Sequence, residues 1–458
     1  MSDPTGLRRS LGFTDLVLIT MGTVIGSGIY LVPSLVLRQT SEHTGLALAV
    51  WAIAGVLSLL GALTYAELGA MRPEAGGLYA YIRDAFGPLP AFLYGWSSFL
   101  VISSGSIAAL AVAFSGYLGQ LLPGTPVPTQ VVSLAVIAIV AAINVRGTRN
   151  SASVQNWTTG AKVGVLTVLS LLLIVRGRGA EVAAVGTAVA PDASLATGIG
   201  AAMIGVLWAY EGWQYVTFSA GETRDPQRTF PRAISLATLA LVALYLLANL
   251  GYIAALGPAG AARSERVAAD AVGVILGPVA GKIVAALILV SIFSALNGLV
   301  LTTPRMYFAM ARDRVFFERL AVVHPRLGTP VFAIVSVTVW AALLAASGTF
   351  EQLLTYVVFA GWIFYALGAL SVFVYRRRQP NAVRPFRVPG YPVTPLLFVL
   401  AAGLLVLNTV VTQPVRAVGG LAVVALGVPA FLVWRARSRR PPPAVPLAAE
   451  LHDFPPVR

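Results

Sequence analysis

The chain has 458 residues, 57% hydrophobic and only 11% charged, less than half the ~25% charge of an ordinary soluble domain. Its 32 Lys and Arg against 18 Asp and Glu give a net charge of +14, but these charges sit between long apolar runs rather than on one solvated basic face, which argues against a soluble nucleic-acid binder. Cysteine is absent, which excludes disulfide frameworks, thiolate metal sites and cysteine nucleophiles.

A bilayer core of ~30 Å takes about 20 helical residues, and about twelve apolar stretches of that order follow one another. The first six are near residues 15–37, 45–70, 88–120, 129–145, 156–175 and 197–219. The others are near 231–256, 272–308, 330–347, 352–375, 393–412 and 416–435. Spans three and eight are long enough to tilt or to extend beyond the bilayer. The first span lacks an early small-residue cleavage site and reads as a retained membrane helix rather than a secretory signal. An even number of spans puts both termini on one side. That side holds 24 of the Lys and Arg residues, against 7 opposite, and the excess assigns it to the cytoplasm. Its exposed cations suit anionic lipid heads. Residues 1–14 then form a cytoplasmic N-terminal segment, and the proline-rich residues 436–458 a flexible cytoplasmic tail. His43, His324 and His452 fall in loops or the tail, which makes them a poor metal cluster and poor general bases. No metal and no cofactor are expected.

Two spans are interrupted. Span one carries GTVIGSGIYLVPS, with Gly22, Gly26, Ser27 and Gly28 at membrane depth, and span six carries IGVLWAYEGWQYVTFSAGE, with Gly205, Glu211 and Gly212 among aromatic residues. Each glycine lowers helix propensity by ~1 kcal/mol, and unwound backbone in a membrane is tolerated only where protein buries it or it lines a cavity. A small-residue helix-packing face is the alternative for span one. If spans one to five and six to ten are two repeats, both interruptions fall in the first helix of a repeat, as expected for an inverted-repeat transporter. Free N–H groups at the start of a half-helix favour a carboxylate, and freed carbonyls at the end of another accept from an ammonium. A zwitterionic amino acid presents both groups on one carbon.

Span five holds the cation left inside the membrane, Lys162. Gln155, Thr159 and Lys162 recur at i, i+4, i+7 and give that span one polar face. A buried ammonium is costly without partners, and snorkelling to the interface is the bland alternative. Glu67, Arg72 and Glu74 at the inner end of span two, with Glu222, Arg224, Asp225, Arg228 and Arg232 after span six, read as cytoplasmic ion pairs, with a conformational latch as the sharper option.

In the stretches GTVIGSGIYLVP, TYAELGAMRPEAGGLYAYIRDAFGP, VQNWTTGAKVGVL, WAYEGWQYVTFSAGETRDPQRTFPRAI, NGLVLTTPRMYFAMARD and RPFRVPGYPVTP, the sequence resembles the amino acid-polyamine-organocation superfamily and, within it, the L-type amino acid transporter branch. The resemblance implies an all-α polytopic membrane protein of twelve transmembrane helices. These form a five-plus-five inverted repeat with discontinuous helices one and six, residues 15–175 and 197–375, followed by helices eleven and twelve in residues 376–435. It implies alternating access, with the amides of Gly26, Ser27 and Gly28 on the substrate carboxylate and the carbonyls of Val24, Trp208 and Glu211 on its ammonium. Trp208 takes the position of the family's aromatic gate, and Tyr210 is a second candidate. Lys162 takes the place of a sodium ion, which implies sodium-independent transport. Ser103 and Ser106, with Ser104, are candidates for the side-chain pocket or for ordinary helix packing. Glu211 stands where many relatives have Asp or a small residue. It suits a cationic substrate, proton coupling or a hydrogen-bonded structural role.

The leading expectation is an inner-membrane exchanger of neutral L-amino acids, with proton-coupled symport or a cationic amino acid or polyamine carrier as alternatives. A polytopic membrane enzyme would want clustered acids, histidines, a metal site or a nucleotide loop, and the sequence has none. An amino-acid sensor would keep the site and drop the flux. The expected partners are the L-amino acid and membrane lipids. Eukaryotic members of the family pair with a single-span glycoprotein through a disulfide, and without cysteine no such subunit is expected. The sequence leaves the oligomeric state open.

Overall fold

The computed structural model describes residues 7–122, 128–177, 193–347 and 350–438. Most of the expected N-terminal and C-terminal cytoplasmic segments' ends, residues 1–6 and 439–458, lie outside the described residues, as does Arg178. Regular structure among the described residues is helical, apart from one β-bridge between Leu11 and Thr223. In chain order the helices are α1 (Phe13–Val24), α2 (Gly28–Gln39), α3 (Thr44–Met71), α4 (Leu78–Phe86), α5 (Pro88–Ser97), α6 (Ser103–Leu121), α7 (Thr129–Val145) and α8 (Thr148–Arg176). There follow α9 (Ala193–Ala209), α10 (Pro226–Arg263), α11 (Val267–Leu276), α12 (Pro278–Thr302), α13 (Pro304–Arg312), α14 (Val331–Ser347), α15 (Phe350–Arg378), α16 (Val393–Thr412) and α17 (Pro414–Ser438).

Eight helical segments among the described residues are long and apolar enough to cross a bilayer, and α1 with α2 meet the same test together, bent by 47° at the break between them. The outward faces carry Trp157, Val175, Val335, Leu404 and Val411, all exposed, while Asn144, Gln155, Thr159 and Asn297 are buried. Apolar outside and polar inside is the distribution that a hydrocarbon solvent imposes, because a buried polar group must find its partner within the protein. The chain is a multi-pass membrane protein.

The structure corrects one span and shows the expected interruption in another. The long eighth stretch, 272–308, is three helices. Gly277 has φ +88° and Pro278 opens α12, a pairing that stops one helix and starts the next, so α11 and α12 are separate helices that pack against each other. At the other end Thr303 and Pro304 separate α12 from α13. The sixth stretch, 197–219, is helical only to Ala209, and a 3-10 segment, Trp213–Glu222, follows the break.

At one end of the bundle, charged groups tie distant elements together. Arg305 of α13 donates to Glu222 at 2.6 Å and to Thr148 of α8 at 2.8 Å, and both charged side chains are 1% exposed. The carbonyl of Glu222 accepts from the backbone of Ser10 and Leu11, which holds the segment before α1 in place. Glu67 of α3 takes two bonds from Arg376 of α15, at 3.0 and 2.6 Å, and Asp15 pairs with Arg149 at 2.8 Å. Glu67 and Glu222 therefore do form ion pairs, with partners far away in sequence rather than with their neighbours Arg72 and Arg224.

Candidate functional site

The two breaks meet. Helix α1 ends where Ile25 bonds back to Met21 and the Gly26 amide turns to the carbonyl of Val24 at 2.8 Å, and α2 restarts at Gly28. Helix α9 ends at Ala209, after which the Glu211 amide bonds to the carbonyl of Trp208 at 3.0 Å. Glycine permits the contact between them. A Cβ on Gly28 would lie 2.8 Å from the Cβ of Ala209, closer than packed carbon atoms allow. Gly212 has φ +131°, and a Cβ there would stand 3.0 Å from the Thr23 carbonyl, so both its conformation and its neighbour call for glycine.

Between the breaks lies a cavity of about 60 Å³, walled by Gly26, Ser27, Gly28, Trp208, Glu211 and Ser106, with Val24 and Tyr215 also bordering it. The start of α2 gives it amides that have no partner within their own helix, and the ends of α1 and α9 give it carbonyls. The Val24 carbonyl accepts from the Gly26 amide and the Trp208 carbonyl from the Glu211 amide. The Ser27 hydroxyl is buried and has no hydrogen-bond partner among the described residues. Glu211 is anchored on one side, its Oε1 accepting from Tyr365 of α15 at 2.7 Å and from Gln214 at 3.5 Å. Its Oε2 is buried without a hydrogen-bond partner among the described residues.

Lys162 stands about 20 Å along α8 from Thr148 and is 2% exposed. Its Nζ donates to the carbonyls of Gly22 at 2.7 Å and Ile25 at 2.5 Å, and lies 3.3 Å from that of Ser291. The ammonium thus sits against the negative end of the α1 dipole and joins α8 to the break and to α12. It does not snorkel. The rest of the α8 polar face continues the contact: Gln155 and Thr159 lie within 3.3 Å of Ser294 on α12, and Gln155 accepts from Asn297 at 2.9 Å.

Two sequence candidates stand off the cavity. Tyr210 is buried in an aromatic cluster, its ring 5.8 Å from Trp51 and 4.9 Å from Tyr245. Ser103 is turned to Ser98, at 2.7 Å, whereas Ser106 is on the wall. Ser104 bonds to the carbonyl of Phe99.

The structure adds residues that sequence reasoning passed over. The Tyr245 hydroxyl of α10 lies 3.1 Å from the Ala209 carbonyl and 3.3 Å from that of Val24, so one donor serves the ends of both broken helices. Ser291 donates to the Ile25 carbonyl at 3.0 Å. Tyr365 positions Glu211. Among the described residues no group of three or more His, Cys, Asp or Glu is placed to hold a metal ion.

A family model described as an amino acid permease matches residues 11–432. The chain belongs to that family. The serine/threonine exchanger of Bacillus subtilis (strain 168) is 28% identical over 439 residues, covering 95% of this chain and 99% of that protein. The b(0,+)-type amino acid transporter 1 of Homo sapiens is 33% identical over 418 residues, or 90% of this chain and 84% of the relative. The human cystine/glutamate transporter is 29% identical over 443 residues, at 94% and 87% coverage. This permease is an amino acid transporter resembling the L-type branch, and not an enzyme.

Proposed function

We propose that the chain is a sodium-independent exchanger of neutral L-amino acids that works by alternating access. The observation that carries the reading is the Lys162 ammonium on the carbonyls of Gly22 and Ile25, at the break that also walls the cavity. A fixed cation there neutralises the carbonyl end of α1, as a bound sodium ion would, without depending on sodium outside. The substrate carboxylate takes the amides of Ser27 and Gly28, favoured by the positive end of α2, and that of Gly26 in exchange for its bond to the Val24 carbonyl. Its ammonium takes the carbonyls of Val24, Trp208 and Glu211. The Trp208 ring closes over the substrate, Ser106 borders its side chain, and Tyr210 and Ser103 support the wall from behind.

Twelve membrane crossings are part of the same reading: the nine long or bent ones, together with α7, α9 and α14, whose lengths of 17 residues suit a short span. Residues 15–175 and 197–375 form the inverted repeats, with the two breaks in equivalent helices, and residues 376–435 add the last pair. Both termini face the cytoplasm of a bacterial-type inner membrane, on the 24 to 7 bias of cations, and no disulfide-linked subunit is required. The serine/threonine exchanger among the relatives supports exchange and a small neutral substrate.

Proton-coupled symport is the second reading, favoured by the buried, unpartnered Oε2 of Glu211. Such an oxygen is costly in its charged form unless a proton or a cation reaches it. The first reading is tested by uptake of labelled serine into proteoliposomes preloaded with amino acid, with sodium replaced by choline. Equal rates are expected, with competition by other neutral amino acids, and a requirement for sodium would remove the role given to Lys162.

A further inference from the structure

A second cavity, of about 550 Å³, opens between the end of α6, α11 and the start of α12. It continues the helix faces of the central one. On α12, Ala295 borders the central cavity, while Ile288 and Gly281, each a further seven residues back, border the second. A step of seven residues is two helical turns on one face, about 10 Å along the axis. On α6 the same step leads from Leu110 in the central wall to Tyr117 in the second. The lipid-side face of α12 is a different one, marked by Val279 and Ile283 at 72% and 59% exposure.

The second cavity carries both signs of charge. Arg266 and Lys282 border it together with Asp270. Arg266 and Asp270 are 3.6 Å apart and well exposed, a contact weak enough to open for a ligand. Tyr117 is 6% exposed, and its hydroxyl is buried with no partner among the described residues.

We propose that this cavity is a loading site for the amino acids that the central site transports. Lys282 and Arg266 take the substrate carboxylate, and Asp270 takes its ammonium. The inference rests on the transport reading above and adds a station on the route to the central site. A phospholipid headgroup would meet the same two cations, but its phosphate would face Asp270, and the cavity follows the inward faces of α6 and α12 rather than the apolar belt.

Because the chain has no cysteine, Ala285→Cys in the α12 wall introduces a single thiol. Its reaction with a membrane-impermeant methanethiosulfonate is followed in proteoliposomes, with a mixture of the common L-amino acids other than cysteine as the probe. Gly281→Cys replaces it if the first variant does not fold. The mixture is expected to slow labelling. The half-protecting concentration should rise about three- to fivefold on adding Lys282→Gln or Arg266→Gln, and should also rise at high ionic strength. Protection that is unchanged in both charge variants means that filling the central site shields the thiol, and overturns the proposal. So does labelling that responds to anionic phospholipid in the vesicle and not to amino acids. Counterflow by the unaltered chain in the same vesicles separates the two levels: absence of flux overturns the transport reading, whereas flux with an unprotected thiol overturns the loading site alone.

Discussion

At the scale of single residues, Lys162 carries more of the proposed mechanism than any other side chain. A lysine at the centre of a membrane helix costs about 2.5–3.5 kcal/mol on insertion scales, and here the cost is offset by carbonyls that the α1 break has freed. Lys162→Ala leaves the Gly22 and Ile25 carbonyls buried with a donor lost, at about 1–3 kcal/mol each. An amino acid exchange rate at least about tenfold lower is expected from a protein that still elutes as a single species, since ~1.4 kcal/mol is a factor of ten. Exchange at the unaltered rate would make the lysine a packing residue. This position is legible in the sequence because a lone cation amid apolar residues has few uses. Tyr245 is not, because tyrosine in an apolar run packs as readily as it donates, and only the fold brings its hydroxyl to two helix ends. Ser291, Ser294 and Asn297 are an intermediate case. Their three-residue spacing gives α12 a polar face, a signal present in the sequence whose partner, the polar face of α8, becomes apparent only when the two helices lie side by side.

At the scale of elements, the proposed site belongs to a pair of broken helices rather than to either one. The glycines indicate where α1 and α9 stop, and the structure explains why they are glycines: the start of α2 and the end of α9 touch at Gly28 and Ala209, and Gly212 presses on the end of α1. Sequence periodicity misjudged the elements where an apolar run hides a change of direction. Span eight reads as one helix because residues 272–308 are mostly apolar, although the stop at Gly277 and Pro278 is written in them. Tyr245 is the link between the two breaks, and Tyr245→Phe removes its hydroxyl while keeping the ring beside Trp51 and Tyr210. If the two half-helices move as a unit, the variant should bind substrate with affinity within about twofold of the parent, since its hydroxyl is not on the cavity wall, and turn over several-fold more slowly, the net worth of one hydrogen bond being ~1 kcal/mol. Binding measured by thermal shift and turnover measured by exchange would separate these effects, and an unchanged turnover would mean that the two ends move independently.

At the scale of the whole molecule, the proposed alternating access has the cavity open to each side in turn, and the charged contacts are arranged to permit that. The ion pairs of Glu222 with Arg305, Glu67 with Arg376 and Asp15 with Arg149 all join separate elements at one end of the bundle. On the proposed topology this is the cytoplasmic end, and these pairs would have to part or shift when the cavity opens there. The buried pair is suited to a two-state element, since separating it without a new partner is costly. Composition made the membrane class readable, whereas the long-range pairing of the acids was not, because charge in a loop does not name its partner. Proteoliposomes loaded with unlabelled amino acid, or left empty, and then given labelled amino acid outside, test exchange most directly. Rapid uptake into the loaded vesicles alone, equal in sodium and in choline, is the expected result. Net filling of empty vesicles under an acid-outside gradient would contradict obligatory exchange and establish proton-coupled symport in its place.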